Sequence, residues 1–70
     1  MKNLIKVERA RNNITQAELA EKVKVSRQTI NAIETYRFAP SAALALKIAT
    51  VLGVRMDDIF LLEEKDWYDG

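Results

Sequence analysis

Apolar residues recur along most of the chain at helical intervals, and polar breaks divide them into five groups. Leu4, Ile5, Val7 and Ala10 predict a first helix from about Asn3, whose side chain caps it, to Asn12. Asn12-Asn13 interrupts the pattern, Asn being next to Gly in its tolerance of the left-handed conformation that ends helices. Thr15-Gln-Ala-Glu18 has the form of a capping box, so a second helix begins at Gln16 with Leu19, Ala20 and Val23 facing inward. Ser26 is an N-cap placed just after Val23. The chain must therefore turn sharply through Lys24-Val25 into a third helix, from about Ser26 to Glu34 or Thr35. Ile30 and Ile33 share one side of that helix; Gln28, Asn31, Ala32 and Thr35 lie opposite, with Arg27 at the edge of the same face.

Phe38-Ala39-Pro40-Ser41 marks the longest loop, because Pro40 disfavours helix at Ala39 and Ser41 is placed to cap a fourth helix. That helix carries Leu44, Leu46, Ile48, Val51 and Leu52 and closes at Gly53, and Asp57-Asp58-Ile59-Phe60 reads as a short fifth. The expected fold is all-α and compact, a single domain over residues 1–62 followed by a polar tail over 63–70.

Composition narrows the chemistry. The chain has 70 residues, 49% apolar and 30% charged, with two Gly and one Pro, which fits one helical domain and leaves no room for a separate effector domain. Without Cys or His there are no disulfides, zinc fingers, thiol nucleophiles or neutral-pH imidazole catalysts. Asp57 and Asp58 are adjacent, so on a helix they diverge by about 100° and form no facing carboxylate pair. An enzyme is not expected, nor a metal, a cofactor or a small-molecule ligand. No apolar run reaches signal-peptide or membrane-spanning length, so a cytoplasmic location with no membrane partner is expected.

Net charge is +1, yet its distribution is uneven. Residues 1–37 hold eight basic and four acidic side chains, a net of +4; from Phe38 onward three basic residues face six acidic ones, a net of −3. Such asymmetry turns the N-terminal half toward a polyanion.

Two short helices joined by a tight turn suit DNA. The major groove, about 12 Å wide, admits one α-helix, and a second helix packed across it sets the angle and meets the backbone. Ala20 is small where the helices cross, and Leu19, Val23, Val25, Ile30 and Ile33 form an apolar seam. Thr15-Gln-Ala-Glu-Leu-Ala-Glu-Lys-Val followed by Val25-Ser-Arg-Gln-Thr-Ile-Asn-Ala-Ile-Glu34 resembles the phage Cro/repressor family, or XRE type. Pro40-Ser41 and Leu46-Lys-Ile-Ala-x-x-Leu-Gly53-Val-x-x-Asp-Asp-Ile-Phe60 extend the resemblance to residues 3–62. It implies a five-helix, lambda-repressor-like DNA-binding domain acting as a dimer, and a stand-alone transcriptional regulator of the repressor kind.

By position, the resemblance implies that Gln16 bonds a DNA phosphate and braces a neighbouring side chain. Arg27, Gln28 and Asn31 are its base-contacting candidates: Arg pairs with guanine, Gln or Asn with adenine. Thr35, Tyr36 and Arg37 fall where the family touches phosphate, with Lys6, Arg9 and Lys22 as further phosphate candidates. The alternative for Arg27 is an ion pair with Glu34; for Lys22 it is plain solvation. Two positions depart from the family pattern, Lys24 standing where Gly is common and Thr35-Tyr36 where Asn-Gly is usual. A non-Gly residue held left-handed costs on the order of 1 kcal/mol.

One recognition helix reads too few base pairs for useful specificity, so a homodimer on an inverted-repeat operator in double-stranded DNA is expected. The largely apolar fourth helix points to the C-terminal half as the interface, with Leu52, Val54, Ile59, Leu61 and Trp67 as its candidates. Trp67 and Tyr68 have an alternative as a tail folded back on its own domain or frayed. A rival function is an antitoxin- or adaptor-type protein-interaction module, in which Asp57, Asp58, Glu63, Glu64, Asp66 and Asp69 face a basic partner.

Overall fold

The computed structural model describes residues 1–68; Asp69, the last of the acidic residues counted toward a basic partner, lies outside them. A strand β1 (Lys2–Asn3) leads into helices α1 (Ile5–Asn12), α2 (Gln16–Val23), α3 (Arg27–Glu34), α4 (Ala42–Leu52) and α5 (Met56–Ile59). A strand β2 (Phe60–Leu61) and a 3₁₀ helix over Glu64–Tyr68 come after them. The five expected helices are all present.

Local chemistry sets most boundaries. The Thr15 hydroxyl accepts from the Glu18 N–H at 3.0 Å while Glu18 Oε1 accepts from the Thr15 N–H at 2.9 Å, completing the capping box at the start of α2. Ser26 accepts from the Thr29 N–H at the start of α3, and Ser41 from the Leu44 N–H at the start of α4. Asn13, Lys24 and Gly53 end α1, α2 and α4 in the left-handed conformation.

Two expectations are corrected at the ends of the domain. Asn3 does not open a helix: it lies in β1, which pairs antiparallel with β2 in the register Lys2–Leu61 and Asn3–Phe60. Its buried amide receives the Ile5 N–H on Oδ1 and donates to the Ile33 carbonyl at 2.8 Å. The fifth helix stops at Ile59, and Phe60 is extended because its backbone joins that ladder.

The core gathers Ile5, Leu19, Val23, Ile30, Ile33, Ile48 and Ile59, all fully buried, so each of α1 to α5 contributes to one cluster. Side chains from elsewhere in the sequence satisfy carbonyls that helix ends leave without partners. Lys47 donates to Val23 at the end of α2 and Asn12 to Leu52 at the end of α4, while Asn3 adds a second donor to the Ile33 carbonyl, which already accepts from the Tyr36 N–H. Leu52 and Ile59 are corrected as dimer candidates, being 3% and 0% exposed within this core; a side chain already buried has no surface left to offer a partner. Among the described residues no helix is long and apolar enough to cross a membrane.

Candidate nucleic-acid interface

The turn between α2 and α3 is held by Lys24 at φ 65°, which lets the Val25 N–H reach the Ala20 carbonyl at 3.0 Å. Val25 packs partly buried against the core. With Leu19, Ala20 and Val23 beneath α2 and Ile30 and Ile33 beneath α3, the two helices are fixed by burial of one face each. The opposite face of α3 is left outward.

Arg27 and Gln28 are exposed there and Asn31 is half-buried. With Gln16 and Arg37 these residues line a recess of about 290 Å³, so four residues singled out on α2 and α3 converge and Arg37 joins them from the loop. Arg27 also borders a broader groove of about 680 Å³ at the N-terminus of α2, lined with Asn13, Ile14, Thr15 and Gln16. Thr35, Tyr36 and Arg37 are exposed beyond the end of α3. Tyr36 takes φ 65°, the conformation that the Asn-Gly of the family pattern would supply, and the Arg37 N–H returns to the Ala32 carbonyl at 2.9 Å. Arg37 Nε donates to the Thr35 hydroxyl. Lys6 and Lys22 are exposed on α1 and α2, outside the recess.

Arg9 is corrected as a phosphate candidate. Its guanidinium clasps Glu34, Nε to Oε2 at 2.7 Å and Nη2 to Oε1 at 3.1 Å, and Nη1 donates to the Ile14 carbonyl. The Glu34 side chain is only 5% exposed, so this fork ties α1 to the end of α3 and commits Arg9 to a carboxylate at the edge of the broader groove it lines. The partner of Glu34 is thus Arg9 and not Arg27. The sequence separation of 25 residues hides this pair from any local pattern.

Gln16 needs a smaller correction. Its Nε2 donates to Glu34 Oε1 at 3.1 Å and to Asn31 Oδ1 at 3.3 Å. Both amide hydrogens are thereby committed, and the free polar atom of the side chain is an acceptor, which repels phosphate. The donor this position has for an anion is its backbone N–H in the first turn of α2.

Two carboxylates outside the recess are held charged. The N–H and hydroxyl of Thr15 keep the Glu18 carboxyl below the ordinary glutamate range. The Glu63 N–H, donating at 2.7 Å, does the same for Asp66 in the tail.

A helix-turn-helix family model matches residues 5–59, a span running from the first residue of α1 to the last of α5. An uncharacterized HTH-type transcriptional regulator of Methanocaldococcus jannaschii is 52% identical over 66 residues, covering 94% of this chain and 100% of the relative. Another, from Bacillus subtilis, is 47% identical over 66 residues, again 94% and 100%. One from Archaeoglobus fulgidus is 42% identical over 69 residues, 99% of this chain and 97% of the relative. The chain therefore belongs to the XRE-type helix-turn-helix family of transcriptional regulators.

Proposed function

We propose that this chain is a repressor that binds double-stranded operator DNA as a homodimer, with α3 in the major groove. The observation carrying this reading is the recess itself: Arg27, Gln28 and Asn31 gather on the outward face of a helix whose other face is locked into the core, and Arg37 joins them from the following loop. Arg27, Gln28 and Asn31 read base edges. Thr35, Tyr36, Arg37, Lys6 and Lys22 meet phosphates, together with the backbone N–H of Gln16. Residues 1–62 form the DNA-binding domain, and the tail from residue 63 lies at the dimer contact, where Val54, Leu61 and Trp67 remain as candidates once Leu52 and Ile59 are assigned to the core. Two-fold pairing spaces the half-sites by about 34 Å.

Selection of bound duplexes from a random pool, followed by titration of the recovered site at several salt concentrations, tests this directly. The expected product is an inverted repeat. Arg27→Ala and Gln28→Ala each relax particular base positions, roughly 1–3 kcal/mol of discrimination being at stake in a good contact. Lys22→Ala weakens all sequences alike and lowers the salt slope by about 1. Recovery of no common sequence would favour the antitoxin- or adaptor-type module instead.

A further inference from the structure

The amide of Asn31 has two ends, a donor and an acceptor, and a free asparagine uses both on adenine. Here a chain of hydrogen bonds decides which end faces outward. The Arg9 guanidinium only donates, and the Glu34 carboxylate it clasps only accepts. The group of Gln16 that meets Glu34 must therefore be its NH₂, at 3.1 Å. The second hydrogen of that NH₂ is directed to Asn31 at 3.3 Å, so the atom receiving it must be oxygen; the opposite orientation would set one NH₂ against another. Polarity thus passes from a buried ion pair through Gln16 to the reading face.

We propose that Asn31 reads DNA through its NH₂, preferring guanine to adenine, because the bond from Gln16 turns its oxygen away from the base. This rests on the placement of α3 in the major groove. Asn31 lines the recess, and its Nδ2, which carries two hydrogens, has no hydrogen-bond partner among the described residues. Guanine presents two acceptors in the groove, O6 and N7, and both suit a donor. Adenine presents the N7 acceptor beside the N6 donor, so one of its two groups faces a like group. Cytosine presents only its N4 donor and is rejected. Gln16 and Glu34 act here as positioning residues, since neither has to touch the base.

The test is selection from a random duplex pool with the full chain and three variants, each first checked for a cooperative thermal melt. Asn31→Ala identifies the base concerned as the position where preference collapses. At that position the wild-type chain is expected to favour guanine over adenine by about fivefold or more, the lower end of what a good contact discriminates. Gln16→Leu releases the Asn31 oxygen while leaving Arg9 on Glu34, and the preference moves to adenine. Asn31→Asp keeps the inner oxygen for Gln16 and turns the outward atom into an acceptor, so the preference moves to cytosine, whose N4 donates. Asn31→Asp decides the matter if Gln16→Leu fails to melt cooperatively. The proposal is overturned by adenine at this position in the wild type, by guanine persisting in either variant, or by an Asn31→Ala site unchanged at every position. A wild-type pool with no common sequence refutes the groove reading as well, whereas a clear operator with adenine at this position refutes only the donor assignment.

Discussion

Lys24 and Tyr36 show how single residues set the recognition geometry. Both sit at φ 65°, a region where a side chain crowds its own backbone and which Gly enters freely. At Lys24 the strain is the condition for the tight turn, because the left-handed residue directs the chain so that Val25 bonds back to Ala20. The Lys24 side chain is exposed, so its removal opens no cavity. Lys24→Gly is expected to stabilise the domain by about 0.5–1 kcal/mol, raising the melting temperature by roughly 2–8 °C for a domain of this size. Thermal denaturation followed by circular dichroism checks it, and an unchanged or lower midpoint would show that the turn is relaxed with Lys in place. The sharp turn was legible in the sequence because Ser26 comes so soon after Val23, and the strain at Lys24 was marked by the resemblance, Lys standing where the family commonly has Gly. The left-handed residue of the second loop was not, since Thr35-Tyr36 carries no Gly or Asn to mark which of the two turns over.

At the scale of elements, the N-caps of α2, α3 and α4 were readable because a hydroxyl and the amides it serves lie within a few residues of one another. That locality has a pH signature at α2. The Glu18 carboxyl is held below its ordinary range by Thr15, so it is more acidic folded than unfolded. Its contribution to stability is full above the unfolded carboxylate range and fades as pH falls through the lower folded value. Chemical denaturation at a series of pH values between about 6 and 3, spanning the ordinary carboxylate range, is expected to show Glu18→Gln losing stability less steeply than the wild type, because glutamine keeps the capping box without titrating. Parallel curves for the two proteins would remove Glu18 from the acid response. The β1–β2 pair had no comparable signal. Each strand has two residues, too few for an alternating pattern, and their partnership joins the two ends of the domain.

For the whole molecule the open surface matters most. Trp67 is 74% exposed on the 3₁₀ helix of the tail, so within one copy the indole is not folded back onto the domain. Leu61, Leu62 and Tyr68 are exposed nearby in sequence, and contact with a second copy would cover them. Sedimentation of a concentrated sample is expected to show a dimer, and Trp67→Ala to weaken it by thirtyfold or so, the loss of about 2 kcal/mol that marks an aromatic anchor. Because Trp67 belongs to no core contact, the variant should keep its helical spectrum. A wild-type chain that stays monomeric at high concentration would sink the homodimer.

What the sequence determined on its own was local and periodic. Helical spacing of apolar residues named the inward faces of α2 and α3, side-chain hydroxyls marked where helices start, and the outward face with Arg27, Gln28 and Asn31 came from the same period. What tertiary structure decided was the pairing of distant groups: Asn3 with Ile33, Arg9 with Glu34, Gln16 with Asn31, and Leu52 and Ile59 with the core instead of a partner. The physical reason is common to all of these. Periodicity reports whether a side chain faces inward or outward, but which donor meets which acceptor, and how much of an apolar face its own domain covers, depends on helices that meet only once the chain has folded. At Asn31 that distinction separates its place on the outward side of α3, which the helical period gives, from the bond to Gln16 that orients its amide, which only the fold supplies.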